Sequence, residues 1–291
     1  MSPAASSATP AGGKKDRREQ ARETARLERE AQRRRDRRNR IFLQGGIGIV
    51  VIAIVAIIVV VIVNVNKPAG PGPKNMASDG IVLSGSKMDA VKTPAIKSGG
   101  SPVLTDTKKL PGVAHIVTYI DYQCPYCLQF ETTNEDQIAT MVKSGEATLE
   151  IHPISILDSS SLGNKYSTRA ANAAACVANY DPNDFYAVNT ALYANQPAED
   201  SNGMSDKQLL SILKGAGASS SDITSCVTSQ KFAGWVKSAT TRVSNGTFKG
   251  IAATPAVFAG TPTVYVNGQK YGGSLTDPDA FASFVLAASG S

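Results

Sequence analysis

The longest hydrophobic stretch comes early in the chain. Residues 41–63 form a run of 23 positions that from Ile47 onward contains no polar side chain. As a helix it rises about 1.5 Å per residue, enough to cross a hydrocarbon core of roughly 30 Å. Its β-branched residues are weak helix formers in water, but in lipid only an internally hydrogen-bonded helix satisfies the backbone. The pattern predicts a single transmembrane helix over 41–63, between a polar tail at 1–40 and a Pro/Gly-rich tether at 64–78.

The later pattern is that of a folded domain over 79–291. A short strand at 81–83 precedes an extended lead-in, 86–112, of low apolar periodicity. Residues 115–120 are β-branched and aromatic and predict a buried strand. Leu128, Phe130, Ile138 and Met141 then form a helical stripe that ends near Gly145. Residues 147–155 predict a second strand, whose pairing Pro153 is expected to cut short. Between about 164 and 248 the pattern turns helical, with segments at 169–178, 185–193, 206–213 and 221–227. Thr261 to Tyr271 reads as strand, Asn267-Gly268 turn, strand, and a last helix is predicted from about 277 to 288.

Charge adds an orientation. Residues 1–40 carry 13 Lys/Arg against 6 Asp/Glu, a net +7, whereas the whole chain is +6, so everything after residue 40 sums to −1. The basic character belongs to the tail. Its clusters lie against the apolar run, and only Lys67 and Lys74 follow closely on the other side, so the N-terminus is expected in the cytoplasm and residues 64–291 outside it. The long basic leader and the lack of a small-residue cleavage pattern after Val63 favour an uncleaved anchor over a signal peptide. The tail mixes charges of both signs and has no aromatic residue to stack on a base, so nucleic acid is not an expected partner.

All four cysteines, Cys124, Cys127, Cys176 and Cys226, follow the apolar run, as suits an oxidising compartment. A Cys-x-x-Cys can be half a zinc site, a structural clip or a redox pair. Zinc commonly takes a second such pair, but Cys176 and Cys226 are 50 positions apart and the only histidines are His115 and His152, so no metal is expected. Redox chemistry fits better. Cys124 follows a strand and opens a helix, where free N–H groups and the dipole stabilise a thiolate, and Pro125 suits the first helical turn. Cys127 lies one turn in. Cys124 is expected to attack or be attacked, and Cys127 to resolve.

The strand running into Asp121-Tyr122-Gln123-Cys124-Pro125-Tyr126-Cys127, Phe130-Glu131 behind it, the helical insertion, and Gly260-Thr261-Pro262-Thr263-Val264-Tyr265-Val266-Asn267-Gly268 together resemble the DsbA-like branch of the thioredoxin superfamily, especially its membrane-anchored actinobacterial forms. The resemblance covers most of 79–291. It implies an α/β, thioredoxin-like fold with an inserted helical domain, here preceded by the transmembrane helix. It implies a thiol-disulfide oxidoreductase that forms disulfides in exported, unfolded proteins with free thiols and is reoxidised by a quinone-linked membrane thiol oxidase, with no bound cofactor. Pro262 matches the family's cis-proline opposite the disulfide, with Thr261 offering its backbone to substrate, and Pro125 and Tyr126 completing the substrate-binding set. Cys176 and Cys226 match a second, structural disulfide. The alternatives are a membrane-anchored reductase or isomerase, and a non-catalytic client-binding module.

Two positions depart from the pattern. Similar proteins often hold a buried carboxylate six residues before the first cysteine, where this chain has Thr118. Asp121 is expected to point to the other face of the strand, which leaves Glu150 or a water as substitute. Tyr126 stands where DsbA often has histidine, which removes a cation beside Cys124 and implies a potential below the DsbA extreme of about −120 mV, nearer about −200 to −230 mV.

Overall fold

The computed structural model describes residues 18–19, 21–38, 42, 53–55, 70–246 and 257–290. The chain divides into two compact units, residues 1–67 and 68–291. In the first, residues 21–38 are helical and almost wholly exposed, and Arg26 pairs with Glu30 one turn on at 3.4 Å. Most of the apolar run at 41–63 lies outside the described residues, as do residues 64–69 of the expected tether and residues 247–256. Phe42 and residues 53–55 are helical, and no helix among the described residues is long and apolar enough to cross a membrane.

The second unit is built on a six-stranded sheet of order β2-β1-β4-β3-β5-β6. Its strands are β1 (Ile81–Ser84), β2 (Asp89–Ala90), β3 (Ala114–Ile120), β4 (Ala147–Pro153), β5 (Thr263–Val266) and β6 (Gln269–Lys270). Helix α1 (Pro125–Ser144) joins β3 to β4, which pair in parallel, while β5 lies antiparallel on the other side of β3. Every residue of β3 and β4 is buried, the polar side chains of His115, Thr118, Thr148, Glu150 and His152 included. Pro153 does not shorten the pairing. It sits on the last rung opposite Ile120, and the Ile154 N–H donates to the Ile120 carbonyl at 2.8 Å, so the missing proline N–H costs no bond within the strand.

The two faces of the sheet differ. Ile116 and Ile120 of β3 and Leu149 and Ile151 of β4 join the main core with Phe130, Ile138 and Val142 of α1. Val117, Tyr119 and Tyr265 face the other way, into a smaller cluster with Ile154 and Val243. Helix α1 ends on Gly145 with φ 81°, a left-handed cap that glycine adopts without a Cβ clash. Asn267 (φ 48°) and Gly268 (φ 81°) give β5–β6 the two positive φ angles of a tight hairpin.

Between β4 and β5 come α2 (Tyr166–Tyr180), α3 (Phe185–Ala194), α4 (Asp206–Gly215), α5 (Ser221–Thr228) and α6 (Ala233–Ser244), and α7 (Pro278–Ala288) closes the chain. The alanines of α2 are buried, several at 0 % exposure, because small side chains let α3, α5 and α6 pack closely around it. Cys176 of α2 is bonded to Cys226 of α5, with S–S 2.06 Å. Helix α6 answers to no segment in the sequence pattern. Trp235, Val236, Ala239 and Val243 are its buried face.

Candidate redox site

Strand β3 delivers the chain to the site, and Asp121 stops it there. The Asp121 carboxylate accepts from the Gln123 N–H at 2.9 Å, the Ser167 hydroxyl at 2.7 Å, and the Ile156 and Leu157 N–H groups at 2.8 and 3.0 Å. One side chain thus ties the loop before Cys124 to α2 and to the segment after β4. Burial still pushes its pKa up, to about 6. The insertion helices hold the same loop from above. Gln196 donates to the carbonyls of Tyr122 and Cys124 at 3.1 and 3.0 Å, and the Tyr193 hydroxyl donates to that of Asp121 at 3.3 Å. The Gln123 side chain donates to the Ser160 carbonyl at 3.0 Å.

Cys124 is the N-cap of α1, in extended conformation, and Pro125 is the first helical residue. Cys124 is 4 % exposed and Cys127 0 %, and both are free thiols. Their surroundings push them apart. The Cys127 thiol, against the opposing effect of burial, holds the Cys124 pKa down to about 6, helped by Thr261 and by the backbone of Cys127 and Tyr126. Burial pushes the Cys127 thiol well up, and the neighbouring Cys124 adds to the rise. One sulfur is therefore a ready thiolate at neutral pH and the other a proton-bearing thiol beneath it.

Opposite the pair, the Thr261–Pro262 peptide is cis, and the Cys124 thiol donates to the Thr261 carbonyl at 3.2 Å. Thr261 and Pro262 are half-buried, while Pro125 and Tyr126 are exposed, Tyr126 at 59 %. Cys124, Cys127, Thr261 and Pro262 thus come to one place, with Pro125 and Tyr126 at its rim. Cys176 and Cys226 sit apart, within the helical insertion.

Glu150 does not stand in for the missing carboxylate. It alternates with Leu149 and Ile151, so it points to the sheet face away from α1. There His115 Nε2 lies 2.9 Å and His152 Nε2 3.1 Å from its oxygens, and Thr105 and Ser78 donate to it. Burial alone would raise its pKa, but the two histidines hold the carboxyl well below its ordinary range. His115 thus has partners, including Thr148 at 2.7 Å, that the sequence does not announce. Thr118 does face the α1 side. Its hydroxyl is buried and has no hydrogen-bond partner among the described residues.

The buried carboxyl that sequence reasoning passed over is Glu131, four residues beyond Cys127 on α1 and 8 % exposed. Asn189 of α3 donates to it at 3.3 Å, and the Tyr122 hydroxyl donates to Asn189 at 3.0 Å. Helical spacing was the signal available for it, because positions four apart share a face.

The thioredoxin family profile matches residues 112–285, more than half of the chain. The chain belongs to the thioredoxin family. Among solved structures, it is similar to oxidised DsbA of Mycobacterium tuberculosis, at 27 % identity over 73 % of this chain and 93 % of that one, with a TM-score of 0.55. It is also similar to the reduced disulfide bond oxidoreductase DsbG of the same organism, at 26 % identity over 73 % and 88 %, with a TM-score of 0.55. BdbD of Bacillus subtilis, at 17 % identity over 78 % and 100 % with a TM-score of 0.53, shares the fold. No curated protein matches the chain. Within the thioredoxin family the chain is DsbA-like, and its enzyme class is protein disulfide oxidoreductase, working by thiol–disulfide exchange.

Proposed function

We propose that this chain is a membrane-anchored oxidase that forms disulfides in exported proteins outside the cytoplasm, with Cys124 and Cys127 as its redox pair. The observation that carries the reading is the setting of Cys124, the N-cap of α1 beside a fully buried Cys127, which holds the Cys124 pKa down to about 6. A stabilised thiolate favours the dithiol form, and a protein whose dithiol is favoured gives its disulfide away. In the cycle, a client thiolate attacks Cys124 of the disulfide, forming a mixed disulfide and releasing Cys127. A second client thiolate then attacks the client sulfur and releases Cys124, so two electrons pass from client to protein. The backbone of Thr261 beside Cys124 and the rim of Pro125, Tyr126 and Pro262 receive the client as an extended strand. A quinone-linked membrane thiol oxidase removes the two electrons and restores the pair.

The location rests on the charge pattern around 41–63, with 13 Lys/Arg before the run, and on the Cys176–Cys226 bond, which suits an oxidising compartment. In this organisation 1–40 is a cytoplasmic tail, 41–63 the anchor, 64–78 the tether, whose end from Gly72 packs into the domain with Met76 in its core, and 79–291 the catalytic domain with its insertion at about 164–248. The deciding measurement is the reduction potential of the full-length protein against glutathione. A value above about −230 mV is expected. A value near thioredoxin's roughly −270 mV would make the dithiol a good reductant and replace this reading with the reductase one. Reporter fusions at the C-terminus check the side of the membrane: activity of an export-dependent reporter is expected, and activity of a cytoplasmic one would refute the orientation.

A further inference from the structure

One surface of the first unit lies outside the redox chemistry. Residues 21–38 are helical and almost wholly exposed, and Arg18 is helical too. From Arg18 onward, Arg22, Arg26, Arg29, Arg33 and Arg37 recur at intervals of three or four. At 3.6 residues per turn they fall within an arc of about 100°, a single row roughly 28 Å long. Glu19, Glu23 and Glu30 flank one margin of the row and Asp36 the other, while Thr24, Leu27 and Ala31 occupy the opposite side. In water such a row costs helix stability. Arg18 and Arg22, Arg22 and Arg26, Arg29 and Arg33, and Arg33 and Arg37 are like charges four positions apart, which repel. Among the described residues Arg26–Glu30, at 3.4 Å, is the one ion pair of this helix. A lone helix of this length is marginal in water even without that repulsion.

We infer that this arginine row is a docking surface for anionic phospholipid headgroups, on which the helix lies flat against the cytoplasmic leaflet. A straight row of cations on one side of a helix matches a plane of phosphates, and the plane removes the repulsion that the row suffers in water. The residue type fits the same partner. Every basic residue from 17 to 40 is arginine and none is lysine. A guanidinium grips a phosphate through two parallel N–H bonds, which a lysine ammonium cannot do. Orienting a membrane helix needs no such choice and counts charges only within about 15–20 residues of the span. Arg18 stands 41 − 18 = 23 positions before Ile41, so the row runs past what orientation uses. Arg34, Arg35 and Arg38, next to the apolar run, lie off the row and are enough of a cluster to set direction. The anchor itself supplies the partner, because a chain held at the membrane meets lipid phosphate at high effective concentration. Nucleic acid fits less well, since the row has no aromatic residue interleaved to stack on a base.

The inference rests on the topology proposed above, with 1–40 cytoplasmic and 41–63 in the bilayer. Full-length protein is placed in lipid nanodiscs of phosphatidylcholine alone, or of equal parts phosphatidylcholine and phosphatidylglycerol. Co-elution with discs of either kind reports the anchor; failure to co-elute would sink the anchor and this inference with it. The row is read separately, by the rate at which glutamyl endopeptidase cuts after Glu23, Glu28 and Glu30, sites that no arginine substitution removes. Cutting is expected to be on the order of 10²-fold slower on discs with phosphatidylglycerol, with the protection fading as salt is raised. Two variants of equal net charge then separate the row from charge alone. Replacing Arg26, Arg29 and Arg33 with glutamine should abolish most of the protection, whereas replacing Arg34, Arg35 and Arg38 should leave most of it. If charge near the membrane were all that mattered, the second set, which lies nearer the apolar run, would have the larger effect, and that result would overturn the row. Equal cutting of the co-eluting wild type on both kinds of disc would overturn it too. Protection by double-stranded RNA on phosphatidylcholine discs, with none from phosphatidylglycerol, would hand the row to nucleic acid.

Discussion

Replacing Cys127 with alanine isolates what holds the Cys124 thiolate. Cys124 titrates at about 6 instead of 9.0, and the Cys127 thiol is the largest single influence. A change of that size corresponds to about 4 kcal/mol at 1.36 kcal/mol per pH unit, and solvent screening at the rim of the site reduces the net to about half. A hydrogen bond to a charged group is worth about 1.5–3 kcal/mol, or roughly one to two pH units. Cys124 in Cys127→Ala should therefore titrate at about 7–8, and in Cys127→Ser, which keeps a donor, near its original value. The assay is thiolate ultraviolet absorbance as a function of pH. At pH 7 the thiolate fraction should fall from about nine-tenths to between a tenth and a half. A Cys127→Ala protein that still titrates near 6 would refute the reasoning and hand the thiolate to the N–H groups of α1. The same shift governs stability. A depressed thiol pKa stabilises the dithiol form fully above 9.0, and this is lost as pH falls toward 6. The disulfide form has no such dependence.

Three further outcomes follow from the fold. Replacing Cys176 and Cys226 with alanine opens a loop of 50 residues and should cost about 4 kcal/mol in the chain-entropy account, read as a lower urea midpoint for the double variant; an unchanged midpoint would contradict it. Asp79, nearly buried, accepts from Trp235 at 3.1 Å and from Arg242 through two bonds of 2.7 Å, so Asp79→Ala should lose about 3 kcal/mol in denaturant melts, against near-neutrality if the pair contributes little. Glu150, with its pKa held low, adds stability above its ordinary value of 4.5 that disappears as pH falls below it. Glu150→Gln should lower stability at pH 7, flatten the acid limb of the melting profile, and leave the rate of Cys127 resolution at the wild-type level. A slowed resolution step would return Glu150 to the proton path.

What the sequence by itself determined is what local pattern encodes. The β-branched run into Cys124, the spacing that puts Cys127 one helical turn on, the apolar stripe of α1 and the Asn267-Gly268 turn each depend on neighbours a few positions away, and each appears in the structure where the pattern places it. Helix α6 was not legible, because Lys237, Ser238, Thr240, Thr241 and Arg242 dilute its stripe and only packing against α2 and the Asp79 bridge reveals which side is buried. The acidic residues show the same divide more sharply. Asp121, Glu131 and Glu150 are single charged letters among apolar ones. Tertiary structure alone made the first a clamp on the redox loop, the second a buried acid bonded by Asn189 of α3, and the third an anchor for two histidines. The register of β4 along β3, with Glu150 opposite Val117 and Thr148 opposite His115, assigns Glu150 its face. The docking of α3 seals Glu131. Periodicity fixes which face of its own element a side chain occupies, but the free energy of a charge depends on what that face meets, and those partners arrive from segments about 30 to 70 residues away.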